Sequence, residues 1–198
     1  MSSISNRLFA GLIFVLLIPL YILIALWILF QSGTPVLFKQ KRLGLNGKFF
    51  FIIKFRTMVS DAEDILNRDE KLTQSYIKND YKLNLNDDPR LTECGRILRK
   101  WSLDEFPQFI NVIRGDMNLV GPRPIVPKEI ERYSGIENKF LSIKPGITGL
   151  WQINGRSKVD YPERRDMDMH YIDHRTLKYD IWILWQTIFA VISKRGVY

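Results

Sequence analysis

Only one cysteine, Cys94, stands in the sequence, so no disulfide can form within the chain and a reducing compartment is its natural setting. Histidine is almost as scarce, at two residues, His170 and His174. Four apart, they would share one helix face as a metal pair does. Neither a convincing third ligand nor the H-E-x-x-H glutamate accompanies them, so they read as structural or surface residues. Low-complexity runs and internal repeats are absent, and the composition is that of an ordinary folded protein. Acidic residues are the minority: 21 Asp and Glu against 29 Lys and Arg leave a net charge of +8. That balance suits nucleic acid, anionic lipid or phosphorylated substrates without choosing among them. No nucleic-acid-binding motif appears, and both apolar ends of the chain argue against that partner. The 198 residues have room for one domain with a core, plus a membrane element.

Charge is missing altogether from Leu8 to Phe30, LFAGLIFVLLIPLYILIALWILF. As a helix this run reaches roughly 34 Å, against a hydrocarbon core of about 30 Å. It is too long for a signal-peptide core, and no A-x-A-like cleavage site follows. Pro19 sits in its middle with eleven residues on each side. Proline removes a backbone hydrogen bond and clashes with the preceding turn, so it kinks or breaks a helix. Arg7 precedes the run, and Lys39, Lys41 and Arg42 follow it, so the positive-inside tendency would hold both ends in the cytoplasm. Two half-helices of about 16 Å could dip into one leaflet and return. A kinked single span is the alternative, and the residues alone leave both open. The chain thus divides into 1–33, a membrane segment, and 34–198, a body against the membrane.

After Thr34-Pro35, the stretch VLFKQKRLGLNGKFFFIIKFRTM predicts a β-hairpin, with apolar and aromatic runs flanking an Asn46-Gly47 turn signal. Residues 60–87 predict a surface helix followed by a loop. Ser102 with Glu105 fits a capping box, although Pro107 would then lie inside the helix. Either register leaves Asp104 and Glu105 at a helix N-terminus. GPRP at 121–124 and KPGITG at 144–149 predict rigid turns, and 162–176 a polar helix. The tail Tyr179 to Ile192 is apolar nearly all round, with two tryptophans and then Lys194 and Arg195. At 14 residues it is short for a span, and it reads as an interfacial helix or a buried core helix. The fold class is therefore α+β, mainly helical: a helix-break-helix, a small hairpin and interfacial amphipathic helices.

The densest chemistry lies in residues 88–124, DPRLTECGRILRKWSLDEFPQFINVIRGDMNLVGPRP. Asp104 and Glu105 are adjacent there, with Arg90, Arg96, Arg99, Arg114 and Arg123 around them in sequence. Guanidinium groups bind phosphate oxygens bidentately and offset transition-state charge. One carboxylate can hold Mg2+, which takes one or two carboxylates plus substrate phosphates, and the other can attack phosphorus. A plainer reading makes Glu105 a cap and pairs the arginines with Asp88, Glu93 and Asp116. Spacing alone does not separate the two.

KFRTM (54–58), the run just quoted and KPGITGLWQINGRS (144–157) resemble the signatures of the monotopic phosphoglycosyl transferases, the bacterial sugar transferase family, in order along the chain. That resemblance implies a transfer of sugar-1-phosphate from a UDP-sugar to a polyprenyl phosphate, undecaprenyl phosphate in bacteria. Asp104 is then the nucleophile carrying the phosphosugar after UMP leaves, and Glu105 the Mg2+ ligand. Arg99 and Arg123 hold phosphate and nucleotide, Pro122 and Pro124 frame Arg123, and Lys54 and Arg156 make further substrate contacts. Asp168 and Asp180 match acidic positions of the family and read as structural. Pro19 matches the proline at which the family's N-terminal helix re-enters the cytoplasmic face of the inner membrane, although Ile18 stands where small members often have serine. The same resemblance makes 1–33 a re-entrant hairpin and 34–198 the cytoplasmic catalytic domain. Larger members carry a multi-span domain ahead of the catalytic one, which these residues lack. The 60–87 insertion and LWQINGRS look more like the hexose-transferring members, which points to galactose or glucose. Initiation of a cell-surface glycan follows as the role, with self-association left open. Two rivals stand outside the resemblance: a metal-dependent membrane phosphatase using the same carboxylates, and a non-catalytic membrane scaffold. The transferase reading requires residue 104 to face the arginines and the lipid, not to lie buried away from them.

Overall fold

A computed structural model of the chain describes residues 3–78 and 83–193, and about 60% of it is helical, in keeping with a mainly helical α+β class. Lys194 and Arg195 lie outside the described residues, as do 79–82 of the polar insertion. The apolar run forms helix α1, Ser3–Ser32, whose 30 residues reach about 45 Å. Pro19 lies inside this helix, not between two half-helices as expected. A proline deletes one backbone bond, and the bonds on either side suffice to carry the helix across.

Helix α1 is built into the protein along its length. Ala10 is buried in one core with Phe50, Ile52, Val112, Leu119 and Ile183, and Ile24 and Ile28 are buried in a second with Phe55, Cys94 and Leu98. Near its start, the Asn6 side-chain oxygen accepts from the Leu119 amide at 2.9 Å. Near its end, the Gln31 side-chain oxygen accepts from the Cys94 amide at 2.7 Å. The buried Arg56 guanidinium donates to the Ser32, Gly33 and Thr34 carbonyls, capping the helix's last turn. Leu8, Leu12, Leu16 and Phe30 remain exposed on the other side.

The hairpin forms as expected. Strands β1, Leu37–Leu43, and β2, Phe49–Phe55, pair antiparallel from Leu37 opposite Phe55 to Leu43 opposite Phe49. Asn46 and Gly47 both take positive φ, 54° and 72°, which these residue types adopt at little cost. The insertion holds two short helices in place of one, α2 (Ala62–Arg68) and α3 (Glu70–Lys78), separated at Asp69.

Helix α4, Glu93–Lys100, is capped by Thr92, which accepts from the Gly95 amide. Gly95 permits the close approach of α4 to the chain after β2: a Cβ there would meet the Thr57 carbonyl oxygen at 1.9 Å. Ser102 does not cap the next helix, contrary to the capping-box expectation. Its backbone is left-handed (φ 56°) and its side chain makes no capping bond. Helix α5, Gln108–Arg114, starts directly after Pro107, because proline cannot donate inside a helix.

The KPGITG segment, expected only as a turn, also contains a strand, which pairs with a second short strand just ahead of the GPRP turn. β3, Asn118–Val120, and β4, Gly146–Thr148, pair in parallel. Glycine at 146 makes that approach feasible, since a Cβ would fall 2.1 Å from the Gly121 nitrogen. Short helices α6 (Glu137–Phe140) and α7 (Leu150–Ile153) flank β4. Helix α8, Glu163–His174, matches its expected range. The histidines stack at its exposed end, 4.2 Å apart, and no cluster of three metal-ligand side chains occurs among the described residues. Helix α9, Leu177–Ile192, buries Asp180, Ile183 and Ala190 and exposes Trp182, Trp185, Ile188 and Phe189. One packed face and one exposed apolar face make it a surface helix, not a core helix.

Candidate active site

Helix α4 ends at Trp101, the left-handed Ser102 turns the chain, and a tight 3-10 turn, Leu103–Glu105, presents the two carboxylates before α5 begins. Asn111 of α5 fixes this turn against the hairpin. Fully buried, its side chain accepts from the Ile53 amide at 3.0 Å and donates to the Phe51 carbonyl at 2.8 Å. The next outward residue of β2 is Lys54, whose ammonium reaches Glu105 Oε1 at 2.7 Å. Arg123 Nη1 approaches the same oxygen at 3.4 Å. Arg123 is positioned by its prolines: the Pro122 carbonyl accepts from the Gly146 amide and the Pro124 carbonyl from Arg42, holding the turn between β4 and the hairpin. On the opposite side, Arg99 donates to the Thr57 hydroxyl at 3.0 Å.

Asp104, Glu105, Lys54, Arg99, Arg123 and Arg156 all line one cleft of about 1230 Å³. Pro122 and Pro124 are not in that lining and shape it from behind. Arg156 lies in a left-handed turn (φ 52°) after Gly155, and its Nη1 is buried with no protein acceptor. Arg90, also in the lining, is committed to Asp88 through two 2.8 Å bonds, which is its plainer reading. Arg96 binds the Asn86 and Asp88 carbonyls, and Arg114 is exposed at the end of α5.

Asp104 is set deeper than the transferase reading asks, at 8% exposed, yet it forms part of the cleft wall among the cations. Burial pushes its carboxyl up. Lys54 opposes that rise, the Glu105 charge adds to it, and Arg99 and Arg123 oppose it further. Glu105 goes the other way: burial alone would raise it, but Lys54 and Arg123 outweigh burial and hold it at about 2. Two adjacent carboxyl groups pushed apart in this way can take different roles, one a fixed anion and the other a group that gains or loses charge with its surroundings. Cys94, by contrast, is inert, since burial pushes its thiol up to about 11.

Several contributors carry no local signal. Arg164 of α8 is buried, lines the cleft and stacks over Trp151 at 4.5 Å. Asn111 and Arg56 are polar residues in apolar surroundings, a pattern that could have marked them as buried anchors. Asp168 accepts from the Tyr133 hydroxyl at 2.8 Å, and burial lifts it to about 7. Asp180 accepts from the Tyr171 hydroxyl at 2.7 Å. Neither lines the cleft, so both read as structural, as expected.

A cleft lined by adjacent carboxylates and several cations beside a long, exposed apolar helix suits an enzyme that handles charged substrates at a membrane. The family model described as bacterial sugar transferase matches residues 1–194. The chain is 41% identical over 201 residues to the exopolysaccharide production protein ExoY of Sinorhizobium fredii, covering 99% of this chain and 89% of that one. It is 42% identical over 190 residues to the undecaprenyl-phosphate galactose phosphotransferase of Salmonella typhimurium, covering 94% of this chain and 40% of that one. Against the UDP-glucose:undecaprenyl-phosphate glucose-1-phosphate transferase of Escherichia coli the identity is 37% over 197 residues, covering 96% and 39%. The chain spans less than half the length of these last two relatives. It belongs to the bacterial sugar transferase family and is an enzyme of the phosphoglycosyl-transferring kind.

Proposed function

We propose that the protein transfers a hexose-1-phosphate from a UDP-sugar to undecaprenyl phosphate, in two steps through Asp104, and so begins assembly of a cell-surface glycan. The observation that carries this reading is the shared cleft: adjacent carboxylates, the cationic side chains of Lys54, Arg99, Arg123 and Arg156, and residues of both exposed apolar helices line one space. At about 1230 Å³ it exceeds the usual span of a single small-molecule pocket, roughly 300–1,000 Å³, so a nucleotide-sugar and a lipid head have room to meet. The relatives' names support galactose or glucose as the sugar.

In the first step an Asp104 carboxylate oxygen bonds to the sugar-bearing phosphorus, the bond from that phosphorus to the bridging oxygen breaks, and UMP leaves with its charge held by arginine. In the second, an oxygen of the lipid phosphate attacks the same phosphorus. The acyl-phosphate bond breaks, Asp104 is regenerated and a polyprenyl diphosphate sugar is formed. Arg99, Arg123 and Arg156 bind and orient phosphate oxygens, and Lys54 keeps Glu105 anionic. The donor set suits Mg2+: adjacent carboxylates supply hard oxygen ligands, to which substrate phosphates would add further oxygens. Glu105, with Asp104 beside it, would hold the ion, which would offset phosphate charge.

The protein acts at the cytoplasmic face of the inner membrane, with both ends of α1 held on that side. Support comes from the fastening of both α1 ends, by Asn6 and by Gln31, to one charged body, which keeps them on one side. A panel of UDP-sugars, with and without undecaprenyl phosphate, tests the function. Without lipid, release of about one UMP per enzyme and a phosphosugar adduct on Asp104 are expected. Asp104→Asn abolishes both while the protein stays membrane-bound. Continuous turnover with water identifies a phosphatase instead, and no release at all a scaffold.

A further inference from the structure

The cleft does not end at its charged groups. Besides Asp104, its lining includes the apolar side chains of Phe109, Leu119, Ile13 of α1, and Leu184 and Val191 of α9. Those two helices carry the protein's large exposed apolar faces, Leu8, Leu12 and Leu16 on one and Trp182, Trp185 and Ile188 on the other. An apolar arm therefore joins the cationic end of the cleft to the surfaces suited to lipid. Two hydroxyls interrupt the arm, Thr148 and Thr187, and both are occupied: they bond to each other at 2.8 Å, and Thr187 donates to the Ile183 carbonyl at 2.7 Å.

We infer that this arm receives the isoprene chain of the lipid acceptor, with Leu184 meeting the chain beyond its second unit, and aligns its phosphate with Asp104. The inference rests on the transferase reading and adds to it the path of the chain. Two observations select the occupant. Lys54, Arg99, Arg123 and Arg156 at one end suit a phosphate, and the arm that follows has its hydroxyls already paired. A polyprenyl phosphate places hydrocarbon directly after its phosphate. A diacyl phospholipid would bring glycerol and ester oxygens into that same stretch, where they would lose their hydrogen bonds to water.

The experiment compares undecaprenyl phosphate with geranyl phosphate, which has two isoprene units, as acceptors for the purified protein in phosphatidylcholine nanodiscs. Leu184→Trp fills the arm, and Ile188→Trp, on the exposed face of α9, is the control. The wild type should show a lower KM for the long acceptor. Leu184→Trp should raise that KM about tenfold, equivalent to about 1.4 kcal/mol, and move the geranyl phosphate KM much less, while Ile188→Trp leaves both in place. Should the tryptophan variant fail to fold, Leu184→Ala should narrow the gap between the two acceptors by withdrawing contact from the chain. A long-acceptor KM that ignores position 184, or equal losses for both acceptors, overturns the inference. So does a Leu184→Trp effect that follows the phospholipid composition of the nanodisc and not acceptor length, since the arm would then hold an acyl chain. UMP release without acceptor separates the two readings: its absence in the wild type overturns both, and its presence beside a chain-length-blind arm overturns this one alone.

Discussion

Replacing Lys54 by methionine removes one charge from the centre of the site while keeping most of the side chain's volume. Glu105 is held at about 2 from an ordinary 4.5, a preference for its charged form of about 3.4 kcal/mol. Lys54, at 2.7 Å, is the nearer of the two cations on Glu105 Oε1, with Arg123 at 3.4 Å. At least half of the preference, about 1.7 kcal/mol, falls to Lys54, so its loss raises Glu105 by about one pH unit. Lys54 is also the strongest charge opposing the upward push of burial on Asp104. A nucleophilic carboxylate works ionised, so activity lies above its pKa and is lost as the pH falls through it. Raising that pKa moves the loss to higher pH. Single-turnover UMP release, followed over roughly pH 5 to 9, should show an acid limb displaced to higher pH in Lys54→Met. Lys54→Arg should stay near the wild type. A folded Lys54→Met protein with an unmoved acid limb would refute the electrostatic account of the pair.

Asn111→Ala strands the Ile53 amide and the Phe51 carbonyl in a dry interior. A loss of about 2–4 kcal/mol and a fall in thermal midpoint on the order of 10 °C are expected, and an unchanged melting curve contradicts the clamp. Asp168, lifted to about 7 from 3.8, binds its proton more tightly folded than unfolded. Its stabilising contribution is complete below about pH 4 and lost as pH rises through about 7, at most about 4 kcal/mol. Asp168→Asn should flatten the decline in stability over that window, and an undiminished slope in scanning calorimetry speaks against it. For topology, Ser5→Cys and Lys39→Cys should both react with an impermeant maleimide only once the cytoplasmic side is opened. Labelling from opposite faces rules out re-entry.

The site's main residue types were legible before any coordinates, because phosphate chemistry demands recognisable side chains and the motifs hold them in order. The plainer pairing also proved right for Arg90, which is committed to Asp88, while Arg114 is exposed at the end of α5 and does not line the cleft. Local expectations failed where neighbours overrode them. Ser102 looks like a helix cap in isolation, but Pro107 delays the helix and leaves Ser102 as the left-handed pivot before the turn that carries the carboxylates. The strand in KPGITG was hidden because its partner, Asn118–Val120, is only three residues long and remote in sequence, and only glycine's missing Cβ lets the two meet.

By itself the sequence determined what short-range physics controls: the uncharged helix, the hairpin around Asn46 and Gly47, and a run of acids and arginines suited to phosphate. Tertiary structure alone decided which charges converge. Lys54 and Glu105 are separated by 51 positions, and Asn6 and Leu119 by 113. A helix or turn is dictated by neighbours a few residues away, whereas these contacts exist only because burial of the two cores brings remote segments together.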